Sequence, residues 1–385
     1  MDRGRTAVLA TCGALCLGTL ALGPFRAAAS LPAAAAHWRV LASTTGSLGA
    51  AVAPTTTSAW AFGWGARPTG GPIFPVGRHW NGHRWSRVQF PSAVKDSGMS
   101  CAGASSARNV WAFSGAGASG GNPPSTVSAL RLRAGDWIAV KNFPGSYVTG
   151  CNVIGASNVW VFGGAVAGLG PPIGTWHFRG TTWRKINTGN LVLFNASVIS
   201  ARDIWAVGAD TTHSPRNQPV LARWNGRSWR EIRSIGAALP APTSTTAVGL
   251  DYIKAISTHN VWVLATVARS STRSFVVVHW NGRAWHRVRP ASAGYYLPTA
   301  VRDGHGGWWS VPYLADEPVR YLLHRANGRW TRFPLPVPLL VFLGAISSTF
   351  SMTHVPHTRA MLVAGTHLQP QGTTGVILGF GRLPA

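Results

Sequence analysis

Asp203-Ile204-Trp205-Ala206-Val207-Gly208 is followed, after a polar loop, by Val220-Leu221-Ala222-Arg223-Trp224, an Asn225-Gly226 turn and Arg227-Ser228-Trp229-Arg230-Glu231-Ile232. Apolar and polar residues alternate along each piece, the pattern of a half-buried β-strand. Asn-Gly between two such runs marks a hairpin, because both residues tolerate φ > 0. The stretch reads as three short strands, and the rest of the chain repeats it.

The first strand carries a marker tryptophan that recurs at Trp60, Trp111, Trp160, Trp205, Trp262 and Trp309, with Met361 as a fainter copy. That makes seven copies spaced about 50 residues apart, a period of the kind that builds propellers or solenoids. Small polar turns precede the middle copies, as in Ser106-Ala107-Arg108-Asn109 and Ser200-Ala201-Arg202-Asp203, where Ser, Asn and Asp side chains close tight turns on their own backbone. A second tryptophan follows each hairpin turn, at Trp85, Trp137, Trp183, Trp229, Trp285 and Trp330. The seventh copy lacks it, and a spare one stands at the other end as Trp38-Arg39-Val40-Leu41. An N-terminal strand completing a C-terminal repeat is how a ring of sheets closes and loses its edges. The expected fold is therefore all-β: one seven-bladed β-propeller of four-stranded antiparallel blades over residues 31–385, closed by the N-terminal strand.

Composition agrees. The 385 residues are 46% hydrophobic, with 45 Gly, 26 Pro and 19 Trp, and many short strands with Gly/Pro-rich turns are the mark of an all-β domain. The recurring tryptophans hold one position per repeat and are read as core. The net charge is +25, from 35 Lys+Arg against 10 Asp+Glu. That bias bears on solubility and partners and not on fold. The arginines are spread over the repeats, which reads as a solvated positive shell; no specific nucleic-acid partner is expected.

Residues 1–30 combine two early arginines, an apolar run from Thr6 to Gly23 and the small residues Ala27-Ala28-Ala29-Ser30. This is the layout of a secretory signal peptide, with cleavage after Ala29 or Ala36, and places the protein outside the cell. An uncleaved membrane anchor is the lesser reading; after signal removal no transmembrane span remains. Cys101 and Cys151 hold nearly equivalent places in neighbouring repeats. Two readings stand for them, a disulfide between blades two and three or two buried free thiols.

Val159-Trp160-Val161-Phe162-Gly163-Gly164, Gly174-Thr175-Trp176-His177-Phe178 and Thr182-Trp183-Arg184-Lys185-Ile186 together resemble a kelch motif: an apolar strand ending in Gly-Gly, an aromatic strand, and a Trp on the outer strand. The chain is similar over residues 31–385 to the kelch-type propellers of secreted bacterial proteins, which resemble the central domain of galactose oxidase. The Asn-Gly-x-x-Trp hairpins also resemble the Asp-box of sialidase propellers. The kelch resemblance implies a propeller. Its copper oxidase chemistry does not carry over, because the cysteines lack the matching context.

In such a blade the turns between strands one and two, and three and four, share one face, and here they are short. The longer loops emerge opposite, and variable loops on a rigid scaffold are where binding residues gather. Candidates on that loop face are Trp64, Arg67, Tyr147, Arg216, Arg269, Tyr295, Tyr296, Tyr313 and Arg320, with Phe74, His213, Arg273, Asp316 and Glu317 beside them. Aromatics mixed with arginines suit sugars or acidic ligands. Tyr295-Tyr296 leads, read as an adjacent exposed pair. His79, His177 and His279 recur before an aromatic residue on the third strand and read as structural; no metal site and no cofactor are expected. The sequence has no P-loop, HExxH or G-x-S-x-G, and no carboxylate pair in a repeated frame for glycoside hydrolysis. The expectation is a secreted, monomeric, non-enzymatic binding or scaffold protein that engages a glycan, an anionic cell-envelope polymer or a protein through its loops. The alternative is an extracellular hydrolase or oxidase with a site at the channel mouth.

Overall fold

Each repeat becomes one four-stranded antiparallel sheet whose strands follow chain order from the centre outward. The computed structural model describes residues 36–67, 73–116, 126–164, 172–213, 218–270, 272–292, 294–312, 317–341, 349–370 and 372–383; residues 1–30, read from sequence as a signal peptide, lie outside them. Blade four shows the plan, with strands Leu191–Ser200, Asp203–Asp210, Gln218–Trp224 and Trp229–Glu231. The inner strands of the other blades are Ser47–Thr55, Gly98–Ser106, Gly150–Gly155, Thr246–Ser257, Val301–Arg302 and Phe350–His354. Blade seven takes its outer strand from the start of the chain: Trp38–Thr45 pairs with Gly372–Phe380, from Trp38 opposite Phe380 to Thr45 opposite Thr374.

The marker tryptophans are the mortar between blades. Trp60, Trp111, Trp160, Trp205 and Trp309 are buried, and each ring meets an aromatic residue of the next sheet. Trp160 packs edge-on to Trp229 at 5.7 Å, Trp60 to Trp137 at 5.3 Å and Trp111 to Trp183 at 5.7 Å. Burying a ring of this size contributes roughly 2–3 kcal/mol.

In blades two to five the turn residue two before the marker and a cation or imidazole on the third strand clasp that tryptophan. Asp203 accepts two hydrogen bonds from Arg223, from Nε at 2.7 Å and Nη2 at 2.9 Å, while the guanidinium lies over Trp205. Asn109 accepts from Arg131 at 3.1 Å, and that guanidinium covers Trp111. Where the third strand carries histidine, His177 Nε2 bonds Asn158 Oδ1 at 2.9 Å and stacks on Trp160 at 4.0 Å, and His279 does the same with Asn260 and Trp262. Burial, with Arg179 second, pushes His177 down to about 4, and burial likewise lowers His79 and His279. These imidazoles stay neutral at neutral pH, as a ring stacked under a sheet must.

The hairpin turns depart from the expected geometry. In Asn81-Gly82, Asn225-Gly226 and Asn281-Gly282 only the glycine has positive φ, near +95°. Asn81 Oδ1 instead accepts the amides of His83 and Arg84, and Asn225 and Asn281 do likewise for their loops. The loop is thus longer than two residues, and it is braced at its base by cross-strand pairs Trp80–Trp85, Trp224–Trp229 and Trp280–Trp285. Asn327-Gly328 alone of the Asn-Gly turns has both residues at positive φ.

Candidate functional site

The inner strands carry an irregularity at a fixed place. Their pairing with the second strand slips at Gly49, Ser100, Phe194 and Asp251, each an extra residue bulged from the ladder. A glycine on the second strand makes room for this: a Cβ on Gly63 or Gly208 would collide with the carbonyl oxygen of Ser47 or of Val192. In blades one and four, an apolar run followed by glycine thus accompanies the bulge on the neighbouring strand; blades two and five carry Ser114 and Ala265 there instead.

The bulged residues Gly49, Ser100 and Asp251 line a central cavity of about 480 Å³, which draws walls from all seven inner strands or the segments beside them. That is the size of a small-ligand site. Its lining is mostly small or apolar, from Gly49, Ala50 and Ala102 to Ile253, Val311 and Met352, with Asn152, Asn195 and Ser197 interspersed. Two charges enter it, Asp251 and Lys254, both on the inner strand of blade five.

Asp251 is 9% exposed and accepts a hydrogen bond from Thr266 Oγ1 at 2.5 Å. Burial raises its carboxyl from the ordinary 3.8 to about 6, against smaller opposing effects of Thr266 and Arg273. A carboxyl raised in the folded state is stabilised in its neutral form. The molecule therefore gains stability as pH falls from about 6 toward 3.8, and gives it up above that window. Asp251→Asn is expected to raise stability at about pH 7.5 by up to roughly 3 kcal/mol, since each tenfold change in a group's proton affinity is worth about 1.36 kcal/mol. Thermal unfolding checks this: the gain should be gone near pH 4, and equal changes in melting temperature at both pH values would contradict it.

Opposite the loops, the short turns gather another group. Arg84, Arg227 and Arg283 lie on turns between third and fourth strands, Arg179 and Arg329 are the strand residues flanking such turns, and Arg108, Arg202 and Arg359 lie on turns between first and second strands. All are exposed, and both kinds of turn open on one face of a propeller, so every blade contributes at least one guanidinium to it. Among the described residues, the carboxylates on this face are Asp136, which is exposed, Asp203, which is held by Arg223, and Asp303, which is bound to His324 at 2.8 Å. The loop face is mixed: Arg67 pairs with Asp96 at 3.3 Å, and Glu317 stands near Arg320 in sequence.

The residues singled out from sequence do not converge. Tyr147 is 2% exposed and Tyr295 8%, which corrects the reading of an exposed tyrosine pair. The Tyr295 hydroxyl donates to the Phe275 carbonyl at 3.3 Å, and Tyr296 packs edge-on to Tyr295 and to Trp330. The two rings fill the junction between blades five and six. Trp64 is half-buried, while Arg67 on a loop, Arg269 at the end of one strand and Arg320 near the start of another are exposed and lie in different blades. Arg216, Tyr313 and Asp316 lie outside the described residues, as does the side chain of His213. A disulfide joins Cys101 and Cys151 across the inner strands of blades two and three, with Cα atoms 6.1 Å apart. Among the described residues no group of three or more His, Cys, Asp or Glu could hold a metal ion, and no helix is long and apolar enough to cross a membrane.

No family model matches the chain, and no curated protein matches it. Among solved structures, it resembles YCF48 bound to D1 peptide, at TM-score 0.54 and 11% identity, over 90% of this chain and 97% of that one. It also resembles a GH74 xyloglucanase from Xanthomonas campestris, at TM-score 0.43 and 12% identity over 77% and 53% of the two chains. An ulvan lyase of family PL25 matches at TM-score 0.43 and 10% identity over 78% and 79%. At these identities, what is shared is architecture. A propeller scaffold by itself favours neither binding nor hydrolysis.

Proposed function

We propose that this protein is a secreted, monomeric, non-enzymatic binding module that holds an anionic cell-envelope polymer. The reading takes residues 1–30 as a signal peptide and residues 31–385 as the working domain, with the Gly163-Gly164 pair and Trp183 as the trace of kelch ancestry. The observation that carries it is the crown of exposed arginines on the short-turn face, which lacks a matching set of free carboxylates among the described residues. A guanidinium offers a planar fork to carboxylate or phosphate, and a ring of them on rigid turns suits a polymer with repeated anionic groups. This moves the binding surface from the loops to the opposite face.

The test is binding to poly-glutamate and to a polyglycerol phosphate across a salt series. Replacing Arg84, Arg179, Arg227 and Arg283 together by glutamine is expected to weaken binding about a hundredfold at low salt and to flatten its dependence on log salt concentration. Replacing Arg269 and Arg320 by glutamine should leave both unchanged. If the loop-face substitutions do the damage instead, or neither polymer binds, the reading fails.

A further inference from the structure

The described part of the channel contains a cation with no counter-ion. Lys254 lines the cavity, and its Nζ lies 5.7 Å from the centroid of the Trp308 indole in the next blade. Arg302 covers the same indole, with Cζ 4.7 Å from the centroid. Among the described residues no carboxylate forms an ion pair with either group, and Lys254 makes no hydrogen bond. Asp251 shares the cavity but is not the partner: the charge acting on Lys254 is Arg302, and the charge acting on Asp251 is Arg273. On the neighbouring inner strand, Asn195 also lines the cavity, and its amide makes no hydrogen bond among the described residues.

Two cations on one ring repel each other, and one of them is mostly withdrawn from water. Removing an ammonium from water is unfavourable unless an opposite charge meets it. Burial first, and Arg302 second, accordingly bring Lys254 down to about 8. A group arranged in this way gains most from an oxyanion.

We propose that the channel around Lys254 is a binding site for a small ligand carrying a carboxylate or phosphate, with the oxyanion seated against Lys254 and Arg302 over Trp308 and the Asn195 amide available to its remainder. This site is distinct from the arginine crown, because it lies at the channel and takes a single small molecule where the crown takes a polymer.

The chain has lysines only at Lys95, Lys141, Lys185 and Lys254, so reactivity can be followed residue by residue. The full chain is treated with acetic anhydride near pH 8, with inorganic phosphate, with glucuronate or with neither. Ionic strength is held constant, and acetylation at each lysine is read by mass spectrometry. One or both anions are expected to lower acetylation of Lys254 about fivefold, since pairing favours the ammonium and raising its pKa by about one takes the free amine at pH 8 from about a half to about a tenth. The other three lysines should not change. Protection by phosphate alone assigns a phosphoryl ligand, and protection by glucuronate alone assigns a carboxylate. The thermal stabilisation given by the protecting anion should persist in Lys254→Arg and vanish in Lys254→Met. Unprotected Lys254, an equal fall at all four lysines, or full stabilisation of Lys254→Met overturns the proposal. None of these readouts depends on the crown, whose arginines are not acetylated.

Discussion

A chain lacking Trp38–Thr45 is expected to lose its cooperative thermal transition and to leave the monomer peak in size-exclusion chromatography. Trp38 is 3% exposed and meets Trp309 of blade six edge-on at 5.2 Å and Phe380 at 5.4 Å. The strand does two things at once. It covers the backbone edge of Gly372–Phe380, pairing from Phe380 to Thr374, and it supplies the ring that seals blade seven against blade six. Without it, the edge strand would present Val376-Ile377-Leu378 beside a row of unpaired amides and carbonyls, the template on which sheets aggregate. A single substitution separates the two roles. Trp38→Ala keeps the backbone pairing and removes the ring, and should cost about 3–5 kcal/mol while the protein remains monomeric. Were the truncated chain to stay monomeric with an unchanged melting temperature, the ring would not need this strand.

What was legible in the sequence is what the repeat prints at one position per blade. Trp205 and its equivalents mark the second strand, Trp229 and its equivalents the fourth, and Trp38 completes the missing pair. The residues of the clasp in blades two to five stand in the sequence too, as Asn158 or Asp203 two residues before the tryptophan and His177 or Arg223 opposite it, but there they read as tight turns, structural histidines and scattered arginines. The inner strands were harder. Blade six reduces its own to Val301–Arg302 after a 3-10 turn at Leu297–Thr299, and Tyr295-Tyr296, which looks like an exposed pair in one dimension, packs beside that turn. Lys254 and Asp251 interrupt an apolar strand, a visible signal, but its meaning depends on neighbours from other blades that no local pattern supplies. The arginines show the same limit from the other side. Arg84, Arg179 and Arg283 stand far apart along the chain and read as scattered, yet the ring turns one arginine per repeat into a crown on one face. Periodicity in sequence becomes density in space only after closure.

The disulfide is where ring geometry and chain entropy meet. Replacing Cys101 and Cys151 together by alanine is expected to lower stability by about 4 kcal/mol, the chain-entropy value for a closed loop of this length, since the two positions are 50 residues apart. For a propeller of this size that is a fall in melting temperature of roughly 5 °C, and dithiothreitol should lower the wild-type transition by a similar amount while leaving the alanine variant unmoved. The bond does not create a contact the ring would otherwise lack, because the inner strands of blades two and three already pack together and Cys101 and Cys151 sit among the side chains joining them. Its effect falls on the unfolded chain, where it ties one whole repeat into a loop. The double substitution should therefore leave the native fold, the channel and polymer binding intact while the unfolding midpoint drops. A thiol assay on the denatured, unreduced protein gives the decisive count: absence of free thiol at these positions supports the bond, and two titratable thiols from Cys101 and Cys151 would mean the blades are held together by packing alone.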